Sequence, residues 1–243
     1  MIKALVNVNI GCYEKIYEPA FENSTWDFYT ITDLSSREHR NCTGEYFFEP
    51  IEMDDPKLDG HSPKRKASYY KAKALTLLEQ ETGIDYDLVL VVDSNIQVTG
   101  NLDDFVNKHH GGADLTFMKH PDCDNFIQEA EKIKKIQSSS SLTIEEFDLL
   151  EDTIDEMMRS GFKFNNGYHE SGVSIRSNTK RTKNFEKAWG KNYLRFATKR
   201  DQPSLAFTRW EKRNVVVNTI RQSIYETIEP LTWKPHQKNT QNG

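Results

Sequence analysis

Asp87-Leu88-Val89-Leu90-Val91-Val92-Asp93 is a run of five apolar residues between two carboxylates, followed by Ser94-Asn95-Ile96-Gln97-Val98. The run is continuous rather than alternating, so a strand made from it is apolar on both faces, as in the buried centre of a parallel sheet. In open α/β sheets ligands sit beyond the carboxyl ends of the strands. Asp93 therefore ends its strand where a substrate or metal would be held.

Strands and helices alternate on both sides of this run. Upstream, residues 2–10 carry Leu5, Val6 and Val8 and stop at Gly11, and residues 27–32 are β-rich and stop at Asp33. The roughly sixteen residues between them leave room for a crossover with a short helix. Residues 63–80 place Ala67, Tyr70, Ala74, Leu77 and Leu78 at helical spacing, with Arg65, Lys66, Lys71 and Lys73 on the other faces, which predicts one helix with a basic outer side. Downstream, Asn101 with Asp103 and Asp104 starts a helix, residues 114–118 form a strand, and residues 124–136 a helix. Ser138–Ser141 is a polar loop, and Thr143 with Glu146 makes a capping box for a helix that Gly161 terminates. A strand at 172–176, helices at 184–189 and 204–213, and a strand at 215–217 complete the pattern. These predict an α/β fold with a mixed, mostly parallel central sheet flanked by helices and a Rossmann-like nucleotide-binding half. The expectation is one domain over 1–233 and a polar tail over 234–243.

Composition narrows the classes. The chain has 243 residues, with 32 Lys+Arg against 37 Asp+Glu for a net charge of −5, which argues against a nucleic-acid partner. Aromatic content of 11% fits a packed globular protein. No run approaches the length of a membrane span and residues 1–10 do not form a signal sequence, so the reading is a soluble, cytoplasmic protein. Cys12, Cys42 and Cys123 are odd in number and widely spaced, which predicts free thiols in a reducing compartment. The sequons at Asn23 and Asn41 carry no weight outside a secretory context.

Three constellations could carry chemistry. Asp93 and Asn95 offer two oxygens to a divalent cation, with diphosphate oxygens completing the shell; equally, they are turn residues. Thr198-Lys199-Arg200-Asp201-Gln202-Pro203-Ser204 sets a cation, a carboxylate and an amide before a helix, where amide N–H groups favour anions; equally, Asp201 is a helix cap. In the stretch from Gly167 to Arg176, Glu170 can bind sugar hydroxyls or move a proton and Arg176 can hold phosphate, or the two are surface ions. His61, His120 and His236 read individually as structural histidines that could each ligate a metal.

In order and spacing, these blocks resemble a family of GT-A-type glycosyltransferase-like proteins. That family was long catalogued as a domain of unknown function. It includes plant cell-wall and mucilage-related members and is similar to a rhamnosyltransferase domain of chlorella viruses. The likeness covers residues 1 to about 215, through Gly11-Cys12-Tyr13-Glu14, Tyr29 to Asp33, Lys64 to Lys73, Val92 to Val98, Lys119-His120-Pro121, Glu170 to Arg176 and Arg200 to Ser204.

The resemblance implies transfer of a sugar from a nucleotide-sugar donor to a glycan or other hydroxyl acceptor, in viral or microbial glycan synthesis. It places Tyr13 and Asp33 beside base and ribose, Arg65 and Lys71 near the diphosphate, and Gly11, Arg176, Arg200 and Gln202 among the donor-binding residues. Asp93, with Ser94 and Asn95, stands where the family has a metal-binding Asp-x-Asp. The implied cofactor is a divalent cation, Mn²⁺ or Mg²⁺, on Asp93, Asn95 and a late ligand, His236, although Asn95 departs from the motif and weakens the site. Asp201 is the first candidate for the base that deprotonates the acceptor and Glu170 the second. A carboxylate on the near face of the sugar would instead give retention. Two alternatives stand beside the enzyme: an inactive nucleotide- or glycan-binding module, favoured by Asn95, and a nucleotidyltransferase, disfavoured because Gly11 stands alone where a Gly-rich loop would be.

Overall fold

The computed structural model describes residues 1–12, 14–35, 38, 48–136, 144–165, 167–196, 198, 200–226 and 228–235. Seven strands form the main sheet: β1 (Lys3–Val8), β2 (Trp26–Thr32), β3 (Glu49–Glu52), β4 (Leu88–Asp93), β6 (Leu115–Lys119), β7 (His169–Ser177) and β8 (Val217–Ile220). Their order is β3-β2-β1-β4-β7-β6-β8. β7 runs antiparallel to both neighbours, while the β1–β2, β1–β4, β2–β3 and β6–β8 pairs are parallel. Two short strands, β5 (Ile96–Val98) and β9 (Leu231–Trp233), pair antiparallel beside it. The helices are α1 (Pro63–Ala72), α2 (Ala74–Thr82), α3 (Leu102–His109), α4 (Phe126–Ile136), α5 (Ile144–Arg159), α6 (Lys180–Arg195) and α7 (Gln202–Glu211). The expected α/β class, a mostly parallel sheet flanked by helices, is the one observed.

β4 is buried on both faces for the reason its composition gave. Val89 and Val91 pack with Tyr70, Leu75 and Leu78 of α1 and α2, whereas Leu88, Leu90 and Val92 pack with Leu102 and Phe105 of α3 and with Ile96, Val98 and Leu231 of the small sheet. Alternate side chains of a strand point to opposite faces, so an uninterrupted apolar run serves two cores at once.

Several local expectations are corrected. The crossover from β1 to β2 contains no helix among its described residues. The helix expected over 63–80 is two helices, broken at Lys73, whose φ of −115° and ψ of 12° are not helical. A buried ion pair fills the break. Arg176 of β7 donates to the carbonyls of Lys71 (2.9 Å) and Ala72 (3.4 Å) at the end of α1. Glu186 of α6, 2.5 Å from Arg176, accepts from the Leu75 and Thr76 amides at the start of α2 (3.1 and 2.9 Å). Each ion meets the orphan backbone groups of one helix end. α6 is also far longer than the predicted 184–189, and the edge elements β3 and β9 were not anticipated.

Cys12 is disulfide-bonded and Cys123 is a buried free thiol, so the free-thiol expectation fails at Cys12. Cys42, Ser138–Ser141, Thr143 and Asn41 lie outside the described residues. Asn23 is committed to backbone, donating to Phe21 and Gly100 oxygens and accepting from the Leu102 amide at 2.9 Å. Among the described residues, no helix is long and apolar enough to cross a membrane.

Candidate functional site

At the carboxyl ends of β1 and β4 lies a cavity of about 280 Å³. Its walls come from residues 8–10 and 14, one face of α1, residues 93–96, the first residues of β7, the entry to α7, and Ile224, Tyr225 and Trp233. The α1 face is Lys64, Ala67, Ser68 and Lys71, the i, i+3, i+4, i+7 set of a helix.

Lys71 is the centre of the site. Its Nζ lies 2.8 Å from Asp201 Oδ2, 3.0 Å from Asp93 Oδ1 and 3.2 Å from Ser171 Oγ. Lys71 and Asp201 are buried, while the Asp93 side chain is 43% exposed toward the cavity. The ammonium thus joins an inner carboxylate to an outer one. Burial opposes its charge, but Asp201 and then Asp93 more than offset that and hold it well above the ordinary lysine value. Burial would likewise raise Asp201, yet Lys71, the Ser171 hydroxyl and Arg200 bring it below the usual carboxylate range. Asp201 holds the N-cap position of α7, but its side chain makes no capping bond there and turns to Lys71 instead. The expectation that Lys71 belongs to a basic outer face is corrected as well, because Lys71 lies on the 64/67/68/71 face of α1 that lines the cavity.

Glu170 lines the cavity too, beside Glu14, Asp93 and Asp201. It is buried, and its Oε2 accepts long bonds from Ser223 Oγ and the Ile224 amide, both 3.4 Å. Burial outweighs these contacts and raises its proton affinity above that of an ordinary glutamate. Two carboxyls in one cavity are therefore pushed in opposite directions, Asp201 down and Glu170 up.

The neighbouring Arg200 donates to Glu129 of α4, a buried carboxylate that also accepts from the Tyr168 hydroxyl and lies 3.7 Å from His120 Nε2. Burial would raise Glu129, but His120, Arg200 and Tyr168 hold it low. Glu129 thereby fixes the cation at the cavity wall.

The remaining predicted residues divide. Ser94 and Gln202 line the cavity, and Ser94 Oγ donates to the Val8 carbonyl at 2.8 Å. Gly11 and Asp33 meet at the ends of β1 and β2, where the Gly11 amide donates to Asp33 Oδ1 at 2.6 Å, but neither lines the cavity. The positive φ of Gly11 (65°) lets its amide turn to Asp33. Arg65 points away, donating to the carbonyls of Phe196 (3.1 Å) and Thr198 (3.5 Å). Arg176 is corrected from a phosphate ligand to a buried structural residue between α1 and α6. Tyr13 and His236 lie outside the described residues.

The metal expectation meets a poor donor set. Asp93 Oδ1 is on Lys71, and the Asn95 amide donates to the Lys234 carbonyl at 3.0 Å, tying β5 to β9. Among the described residues, no group of three or more His, Cys, Asp or Glu could hold a metal ion. The third expected ligand, His236, is not among the described residues, and no step below passes through a divalent cation.

Sequence reasoning missed Ser68, Ser171, Ser223 and the Glu129 cluster. The 64/67/68/71 spacing was a signal for Ser68 and for the inward turn of Lys71; nothing in the local pattern around Glu129 points 71 residues on to Arg200.

Gly172 packs against the site, since a Cβ built on it would stand 3.0 Å from Asp93 Oδ2. Gly172→Ala is expected to push the Asp93 carboxylate aside and weaken ligand binding by about 1 kcal/mol, at the low end of overpacking costs. Calorimetric titration of the variant with the ligand bound by the natural chain checks this; unchanged affinity with unchanged stability would remove Asp93 from the binding surface.

No protein-family model and no curated protein matches the chain. Solved structures similar to it include mouse xyloside xylosyltransferase 1 in its apo form, at 10% identity and TM-score 0.46, covering 90% of this chain and 84% of that one. Galactosyltransferase LgtC in complex with donor and acceptor sugar analogs is 15% identical at TM-score 0.47, covering 84% and 69%. Core-mannan synthase A from Aspergillus fumigatus, in a Mn/GDP form, is 10% identical at TM-score 0.43, covering 86% and 69%.

Proposed function

We propose that the chain is a glycosyltransferase that moves a sugar from a nucleotide-sugar donor to a hydroxyl of a glycan or other acceptor, within one domain over 1–233. The observation that carries the reading is the pair of oppositely tuned carboxyls, Asp201 and Glu170, around Lys71 at the carboxyl ends of β1 and β4. The resemblance set out above, which implicates the same two carboxyls, points the same way.

Transfer breaks the bond between the anomeric carbon and the diphosphate oxygen and forms one from that carbon to the acceptor oxygen. The acceptor proton must leave, and negative charge builds on the diphosphate. Glu170 is the better base, since burial gives it the higher proton affinity and it faces the cavity. Asp201, first in the sequence-based order, is held ionised by Lys71 and takes a positioning role: it orients the ammonium. Lys64, Lys71 and Arg200, all lining the cavity, are the cations available to the leaving diphosphate.

The test is a panel of nucleotide sugars, with and without Mn²⁺ or Mg²⁺, read by thermal shift and by nucleotide release. One donor is expected to stabilise the protein and to release its nucleotide when acceptor is supplied. The second reading, a binding module, is favoured by Asn95 standing where an Asp-x-Asp motif has its second carboxylate. Stabilisation without release, even with acceptors present, would select it.

A further inference from the structure

A second concavity, of about 570 Å³, lies between the turn that follows α5, the C-terminal half of α7 and the start of β8. Lys163, Arg209, Lys212 and Arg213 line it together with Asn165 and Trp210, and no Asp or Glu is among its lining residues. Four cations in one recess stand against a chain whose net charge is −5. The recess is therefore a local positive field on an acidic molecule.

The floor is built, not merely charged. Trp210 is fixed edge-on by Phe162 (centroids 5.8 Å apart, planes at 83°) and tilted against Phe207 (5.3 Å, 50°), while its side chain remains partly exposed. The Arg213 guanidinium carbon lies 5.7 Å from its ring centroid. Arg209 Nη1 lies 2.7 Å from His169 Nδ1, and burial with the nearby guanidinium lowers that imidazole to about 3, so a neutral ring accepts from Arg209 and leaves the cation's charge intact. Thr219 Oγ1, 3.0 Å from His169 Nε2, completes the support. His169 and Glu170 are consecutive on β7, so one strand start braces this recess on one face and lines the first cavity with the other.

We propose that this recess is a binding site for an anionic saccharide. Carboxylate, sulfate or phosphate groups on the sugar meet the four cations, and a pyranose face rests on Trp210. Guanidinium groups suit such oxyanions because their planar fork matches the anion's geometry. A saccharide is favoured over a nucleic acid because the recess offers one aromatic ring, Trp210, rather than a row of stacking platforms. The proposal goes beyond the transferase reading and does not need it.

The experiment titrates the full chain with a heparin-derived tetrasaccharide, with maltotetraose and with a thymidylate tetramer, reading heat and tryptophan fluorescence at two salt concentrations. The sulfated tetrasaccharide is expected to bind, to weaken as salt rises, and to shift the fluorescence. Lys163→Glu and Arg213→Glu, both at exposed positions, are each expected to weaken it by about tenfold. Retained response of these variants to the nucleotide-sugar panel separates this site from the first cavity. Equal binding of maltotetraose, equal or tighter binding of the thymidylate tetramer, or heparin binding untouched by the charge reversals would each overturn the proposal. If the panel fails with every nucleotide while the heparin result holds, the transferase reading falls and this one stands.

Discussion

Lys71→Met is expected to destabilise the fold by about 3–5 kcal/mol at neutral pH, the cost of leaving one partner of a buried ion pair uncompensated, and to abolish transfer. Asp201 is buried and 2.8 Å from the ammonium, and methionine fills the space without the charge. The pH dependence follows from the direction of the Asp201 shift. In the natural protein its carboxyl lies below the ordinary value, so its contribution is present above that value and lost as pH falls through the lower one. Without Lys71, burial is left to dominate and the carboxyl resists ionisation. The variant's penalty is then largest where an unfolded aspartate is ionised, and fades as pH falls toward about 4. Thermal melts of both proteins should draw closer from pH 7 to pH 4, and the remaining gap should close only as pH falls further, through the lowered Asp201 value. The double variant Lys71→Met/Asp201→Asn should recover much of the stability and none of the transfer. A stability gap independent of pH, or no rescue by the double variant, would remove the ion pair as the organising feature of the site.

Glu170→Gln is expected to lower transfer by about 10²–10⁴-fold while leaving donor binding in place, the usual loss of a positioned general base. Burial raises the Glu170 carboxyl, and a base must be ionised to work, so the natural rate should rise with pH through a value above that of an ordinary glutamate. Glutamine has no such transition, and the acid limb of the profile should vanish with it. Asp201→Asn should lower transfer but keep the acid limb, because Asp201 acts through Lys71. An acid limb that survives Glu170→Gln and disappears in Asp201→Asn would return the base to Asp201.

The fold was legible to a large degree because its deciding signal is local. The five apolar residues between Asp87 and Asp93 state a doubly covered strand, and β4 is that strand, with its neighbours β1 and β7 on either side. β3 and β9 were not legible, because strands of four and three residues carry too few positions for a period to appear. The disulfide at Cys12 was hidden for another reason: three cysteines permit several pairings, and only spatial proximity selects one.

The candidate site was legible in its residue types and not in their roles. Asp93, Asp201, Glu170 and Lys71 were each drawn from the sequence, and the structure brings all four to one cavity. Arg176 shows why role is harder. An arginine ending a strand reads equally well as a phosphate ligand, and only the break between α1 and α2, with Glu186 opposite, makes it a structural ion.

By itself, then, the sequence determined the alternation of strands and helices, the central strand and the carboxylate at its end, since these follow from periodicities a few residues long. Tertiary structure alone decided which charge faces which. Lys71 meets a carboxylate 22 residues away at Asp93 and another on α7, and Glu129 reaches Arg200 across 71 positions. Burial then sends Asp201 and Glu170 in opposite directions. Proton affinity depends on solvent access and on charges a few ångströms off, and neither is a property of the residues adjacent in the chain.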